Sequence, residues 1–104
     1  MTINTKLARA LEQLEAEMRQ CELWQSEPPS AEALQSVEPF SIDTLEAHEW
    51  LQWVFLPTML LILDEKKPIP RGFELSPYFE EVWKDNETYI TVLAVVNHID
   101  RVCQ

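Results

Sequence analysis

The sequence predicts an all-α fold, a small helical bundle of three long and one or two short helices. Three observations predict it. Apolar residues step by 4, 3, 4 and 3 through Leu7, Leu11, Leu14, Met18 and Cys21, the stripe of an amphipathic helix. A second stripe, Tyr89, Val92, Val96, Ile99 and Cys103, steps by 3, 4, 3 and 4. Between them, residues 50–63 are apolar on every side of a helical wheel, the pattern of a central helix covered on several sides. The chain has 104 residues, 46% of them hydrophobic and 25% charged. That size and composition fit a single folded domain, 1–104.

The first helix is expected over 5–24, with Asn4 or Thr5 capping its first N–H groups and Pro28-Pro29 ending it for want of donors. Ser30 is placed to cap a short helix over 31–36, and Glu38-Pro39-Phe40 reads as a connector. Asp43 or Thr44 is placed to start the next helix, with Glu46 near its positive end. Within 50–63, Trp50, Trp53, Val54, Leu60 and Leu61 share one face, and Leu51, Phe55, Met59 and Ile62 share the other. Pro57 removes the hydrogen bond to the Trp53 carbonyl, so a kink is expected there.

Residues 64–72 read as the main loop, stiffened by Pro68 and Pro70 and closed by Gly72, the sole glycine. Ser76-Pro77 is a helix start, a capping hydroxyl followed by proline, and a short helix is expected over 77–84. Asp85-Asn86 breaks it, and Asn86 can cap the last helix. The β-branched run through 88–96 competes as a strand, but strict alternation fails there while the helical spacing continues to Cys103. The outer stripes are expected to pack on the 50–63 helix between them.

Charge excludes more than it identifies. The formal net charge is −10, and no Lys or Arg occurs between Arg19 and Lys66, a stretch holding Glu22, Glu27, Glu32, Glu38, Asp43, Glu46, Glu49, Asp64 and Glu65. Nucleic-acid affinity rests largely on cations set against phosphates, so direct binding of DNA or RNA is not expected. Lys66, Lys67 and Arg71 are too few for a footprint. An acidic surface keeps a protein soluble and steers it towards basic partners. One glycine excludes Gly-rich nucleotide cradles. No apolar run approaches the roughly 20 residues a membrane span needs, the N-terminus has no signal-like apolar core, and Cys21 and Cys103 make no disulfide framework. A cytoplasmic location is the expectation.

Site chemistry is sparse. His48 and His98 have no His, Cys, Asp or Glu at i±3 or i±4, the helical spacing of metal pairs, so no metal or other cofactor is expected. Glu80-Glu81 and Asp64-Glu65 are adjacent acids that diverge on a helix, and neither cysteine has a local activating base. Catalysis is not expected. The chain has four tryptophans. Core packing is their first explanation, and a binding groove is the other, since tryptophan is favoured at interface hot spots. Gln52 is a polar amide inside the most apolar segment; buried, it must tie a loop to the core, the 39–43 connector being one choice, or face a ligand. The candidate partner or ligand surface is therefore Asp43, Glu46, Glu49, Trp50, Gln52 and Trp53.

One stretch carries a resemblance. Pro39-Phe40, Asp43-Thr44, Glu49-Trp50-Leu51-Gln52-Trp53-Val54 and Pro57, followed by Lys67-Pro68-Ile69-Pro70 and Pro77-Tyr78, resemble the YqcC-like family of small bacterial proteins, from the first helix to about Tyr89. The resemblance implies a small helical bundle, and a context linked by name and gene neighbourhood to the synthase that makes pseudouridine in tRNA. Those synthases are much larger mixed α/β enzymes with a catalytic Asp, and no catalytic residue carries over. The expectation is a non-catalytic interaction or accessory module with a protein partner, acting through an acidic, Trp-containing surface. An accessory factor of a tRNA pseudouridine synthase is the first alternative. A binder of a small apolar ligand, or an enzyme of unrecognised type, is the second. A symmetric homodimer through an uncovered apolar face fits the pattern, although nothing in it selects one.

Overall fold

The computed structural model describes residues 2–104. Helix α1, Ile3–Gln20, starts two residues before the expected position because Thr2 is its cap: the Thr2 hydroxyl accepts the Thr5 N–H at 3.2 Å. It stops well short of the prolines. Glu22 takes a left-handed conformation (φ 61°), and the N–H groups of Glu22 and Leu23 fold back to the carbonyls of Arg19 and Met18 at 3.1 and 2.8 Å. This is a Schellman end, with Leu23 and Met18 buried as its apolar pair.

The longest irregular stretch is 21–46 rather than the expected loop at 64–72. It holds two 3-10 turns, Ala33–Gln35 and Pro39–Ser41. Ser30 caps the first by accepting the Ala33 N–H at 3.1 Å. Helix α2, Ala47–Trp50, begins one turn later than Asp43-Thr44 predicts: Glu46 is its cap and forms a reciprocal capping box with Glu49. Asp43 instead accepts the Ser36 hydroxyl at 2.5 Å, and the Thr44 hydroxyl donates to the Ala33 carbonyl at 2.7 Å.

Helix α2 runs through a π turn, Leu51–Phe55, into α3, Leu56–Asp64. The kink expected at Pro57 takes this form. The Leu56 N–H bonds to the Leu51 carbonyl, an i to i−5 bond, and the wider turn accommodates a proline that has no N–H to give. The Thr58 hydroxyl satisfies the Val54 carbonyl at 2.6 Å. Helix α3 ends in a second Schellman turn at Lys66 (φ 56°), where the Lys67 N–H reaches the Ile62 carbonyl at 3.0 Å.

Helix α4, Ser76–Val82, carries Pro77 in its first turn, but the Ser76 hydroxyl does not cap it. The cap comes from another helix. The Asp100 carboxylate accepts the Leu75 N–H, the Ser76 N–H and the Ser76 hydroxyl at 2.5–3.0 Å. Asn86 accepts the Thr88 N–H at 3.0 Å, opening the 3-10 turn Glu87–Tyr89 that leads into α5, Ile90–Val102. Gly72 sits at φ 82° and donates its N–H to the Cys103 carbonyl at 2.8 Å.

Packing corrects one expectation. The α1 stripe (Leu7, Ala10, Leu11, Leu14, Met18) is buried chiefly against α5, and to a lesser extent against α3; α4 also packs on α5. The pair α1–α5 is the centre of the bundle, and the tryptophan helix lies to one side. Of its two sequence faces, Leu51, Phe55 and Met59 are buried, whereas Leu60 and Leu61 are 50% and 53% exposed. It is apolar all round, yet one side meets solvent. No strand occurs among the described residues.

Candidate functional site

The described aromatic residues sort into two groups. Eight of the ten rings form one contiguous network. Phe40 stacks on Tyr78 (centroids 4.3 Å apart, planes at 12°) and meets Trp50 edge-on at 4.8 Å. Trp50 stacks on Phe55, which meets Phe73. Phe79 bridges Trp50, Tyr78 and Trp83, and Trp83 meets Tyr89. Edge and offset geometries of this kind favour aromatic pairs. Two tryptophans stand outside the network, Trp24 and Trp53, and both line an open groove of 780 Å³ between the C-terminal part of α1, the 24–26 loop and the outer side of α3.

The groove floor is tied by two glutamines. Gln52 is buried by its neighbours. Its Oε1 accepts the Gln25 N–H at 2.8 Å, and its Nε2 donates to the Gln25 carbonyl at 2.7 Å. The side chain of Gln25 is held as well: its Oε1 accepts the Trp53 indole N–H at 2.8 Å, and its Nε2 donates to Glu49 at 3.2 Å. The expectation of a loop tied to the core holds, but the loop is the one at Gln25 rather than the 39–43 connector. Gln52 and Trp53 are neighbours within the π turn. Leu56, Pro57 and Leu60 continue the apolar wall.

The opposite rim comes from α1. The Arg19 Nε donates to Glu15 at 2.9 Å, and its guanidinium lies 4.7 Å above the Trp24 ring. A cation over an indole face is an attractive pairing. Arg19 is the single cation among the lining residues, and it already faces a carboxylate.

The six residues singled out from the sequence therefore divide. Gln52 and Trp53 line the groove, and Glu49 braces it through Gln25. Trp50 belongs to the aromatic network on the other side of the helix. Glu46 is a cap, and Asp43 is bound to Ser36. Trp24, Gln25, Leu56 and Leu60 complete the groove, and the sequence reading did not select them for it. Trp24 had only its residue type as a signal, as one of the four tryptophans weighed for a groove, and Gln25 had none.

Elsewhere the chemistry is structural. Burial pushes the Cys103 thiol up, Asp100 adds to the effect and Arg71 opposes it. Burial and then Glu46 push the Tyr78 hydroxyl up. The Cys21 thiol donates to the Thr88 carbonyl at 3.3 Å, stitching the end of α1 to the start of α5. Among the described residues, no cluster of three or more His, Cys, Asp or Glu is placed to hold a metal ion, and no helix is long and apolar enough to cross a membrane.

Comparison with known proteins places this architecture. Residues 6–102 match the family model DUF446, described as tRNA pseudouridine synthase C. An uncharacterised protein of Haemophilus influenzae is 53% identical over 75 residues, covering 72% of this chain and 71% of that protein. The uncharacterised protein YqcC of Escherichia coli is 36% identical over 101 residues, covering 96% and 93%. A tRNA pseudouridine synthase C of Pectobacterium carotovorum is 38% identical over 87 residues, which cover 84% of this chain but 23% of that protein. The solution NMR structure of E. coli YqcC is similar at a TM-score of 0.85 and 35% identity, covering 98% of this chain and 88% of that one. With the match spanning nearly the whole chain and the same helical fold in a solved relative, the chain belongs to the DUF446 family of YqcC-like proteins.

Proposed function

We propose that this protein is a non-catalytic, cytosolic accessory module of a tRNA pseudouridine synthase, and that it binds the enzyme through the Trp24–Trp53 groove. The observation that carries the reading is the Pectobacterium relative. There, a segment alike to this chain forms part of a much longer protein named tRNA pseudouridine synthase C. Sharing one polypeptide raises the effective concentration of two modules for each other, so a separate copy of the module is suited to the same association at lower local concentration. The charge of −10 directs the module to the protein and away from the tRNA phosphates. The groove supports the choice of surface: its two indoles are absent from the core network, and tryptophan is a frequent interface anchor.

The test is co-purification and calorimetry with the tRNA pseudouridine synthase C of the same organism. A saturable complex with a Kd of about 1 μM or tighter is expected, weakened by Trp24→Ala, with no tRNA retained by the module alone at about 150 mM salt. Absence of a complex, with unchanged tRNA pseudouridine levels in a deletion strain, overturns the proposal.

A further inference from the structure

The groove's own chemistry narrows what it can hold, and this deepens the functional reading, on whose surface it rests. Its apolar part is Trp24, Trp53, Leu56, Pro57 and Leu60, of which Leu60 is 50% exposed. Its polar part is largely turned inward. Gln52 is bonded at both ends of its amide to Gln25, Gln25 is bonded to Trp53 and Glu49, and Arg19 is paired with Glu15. An extended peptide brings main-chain N–H and C=O groups that need partners, and burying them unpaired is unfavourable. The described residues also offer no sheet edge for strand addition. A helix satisfies its own backbone and presents only side chains.

Charge supplies the second constraint. Apart from Glu15 and Arg19, every lining residue falls in the stretch that holds nine acids and no Lys or Arg. Glu15 lines the groove and is paired with Arg19, Glu49 lies behind it, bound to Gln25, and the exposed acids Glu22 and Glu27 flank the 24–26 loop in sequence. A second copy of this chain would bring acids against acids, and nucleic acid would bring phosphates against them. A partner with Lys or Arg flanking its apolar stripe would be attracted.

We propose that the groove receives a basic amphipathic helix of a partner protein, its apolar i, i+3, i+4, i+7 face set between Trp24, Trp53 and Leu60 and its cations set towards the exposed acids Glu22 and Glu27. The probe is a peptide of about 18 residues with Leu at helical spacing and Lys elsewhere. Its control is an isomer of identical composition with Leu redistributed so that no helical face forms. At about 150 mM salt, the amphipathic peptide is expected to bind about 10-fold more tightly than its isomer. Binding should shift the Trp24 and Trp53 indole NMR signals and spare that of Trp83. Leu60→Lys, at a half-exposed site, is expected to weaken binding about 10-fold without lowering the melting temperature.

Equal affinity for the two isomers would reduce the effect to charge alone and overturn the proposal. So would unmoved groove indoles, an unaffected Leu60→Lys variant, tighter binding of tRNA at the same indoles, or a dimer of this chain burying them. Peptide binding without synthase binding would sink the choice of enzyme and leave the groove's chemistry standing. Synthase binding that survives Leu60→Lys would do the reverse.

Discussion

At the scale of residues, the site depends on a buried amide. Gln52 was conspicuous in the sequence because a polar side chain inside an apolar helix must find partners or destabilise the fold. Its partner was not legible, because Gln25 lies 27 positions away in a segment with no periodicity, and a hydrogen bond to backbone leaves no mark on the partner's residue type. Gln52→Leu keeps the volume similar but strands the Gln25 N–H and carbonyl. The expected loss is about 1–3 kcal/mol, read as a lower urea midpoint with an unchanged slope. Because Gln25 also holds the Trp53 indole N–H, the same variant should move the Trp53 indole signal and weaken peptide binding. Gln52→Glu should be worse than Gln52→Leu near neutral pH, since a carboxylate there faces the Gln25 carbonyl that Nε2 now satisfies. Equal stability of the wild type and Gln52→Leu would show that the amide pair contributes nothing.

At the scale of elements, the helices were legible because their stripes repeat over several turns, and their ends were less so because capping is decided by backbone geometry. The sequence stop signal for α1 was Pro28-Pro29, yet the chain turns at Glu22 (φ 61°), a residue type with no preference for that conformation. Lys66 (φ 56°) does the same for α3. Left-handed backbone costs an ordinary L-residue about 1–2 kcal/mol, and glycine adopts it freely at an unfolded-state entropy penalty of about 0.5–1 kcal/mol. Glu22→Gly and Lys66→Gly, both at exposed sites, are therefore each expected to stabilise the protein by about 0.5–1 kcal/mol. The melting temperature should rise by a few degrees, about 4–8 °C per kcal/mol for a domain near this size. Phe40 supplies the contrast. It has φ 57° as well, but its ring contacts Trp50, Tyr78 and Phe79, so Phe40→Gly should destabilise despite the relief of backbone strain. A fall in stability for both Glu22→Gly and Lys66→Gly would mean that these side chains do more at the turns than their exposure indicates.

At the scale of the molecule, periodicity told which face of each helix is apolar but not which helix it meets. The 50–63 segment looked central because it has no polar side, and the structure places the α1–α5 pair in the centre, with the uncovered side of α3 becoming the wall of the groove. An all-apolar wheel is equally the signature of a helix covered by its own chain and of one awaiting a partner. The charge balance has its own global consequence at high pH. Two groups are held protonated by the fold: Cys103, raised above its usual 9.0 by burial and Asp100, and Tyr78, raised above 10.0 by burial and Glu46. In the unfolded chain each ionises at its ordinary value. As pH rises past about 9, the unfolded state therefore loses protons first and is favoured. The stability from keeping these groups neutral is full below that point and declines until the folded groups ionise in turn. Urea midpoints should thus fall from about pH 9 upward, first through Cys103 and then more steeply through Tyr78. Cys103→Ala should be less stable at neutral pH for lack of the buried sulfur, yet lose less on going from pH 9 to pH 10, and Tyr78→Phe should flatten the fall above pH 10. Parallel pH profiles for the wild type and both variants would mean that neither buried group is linked to folding.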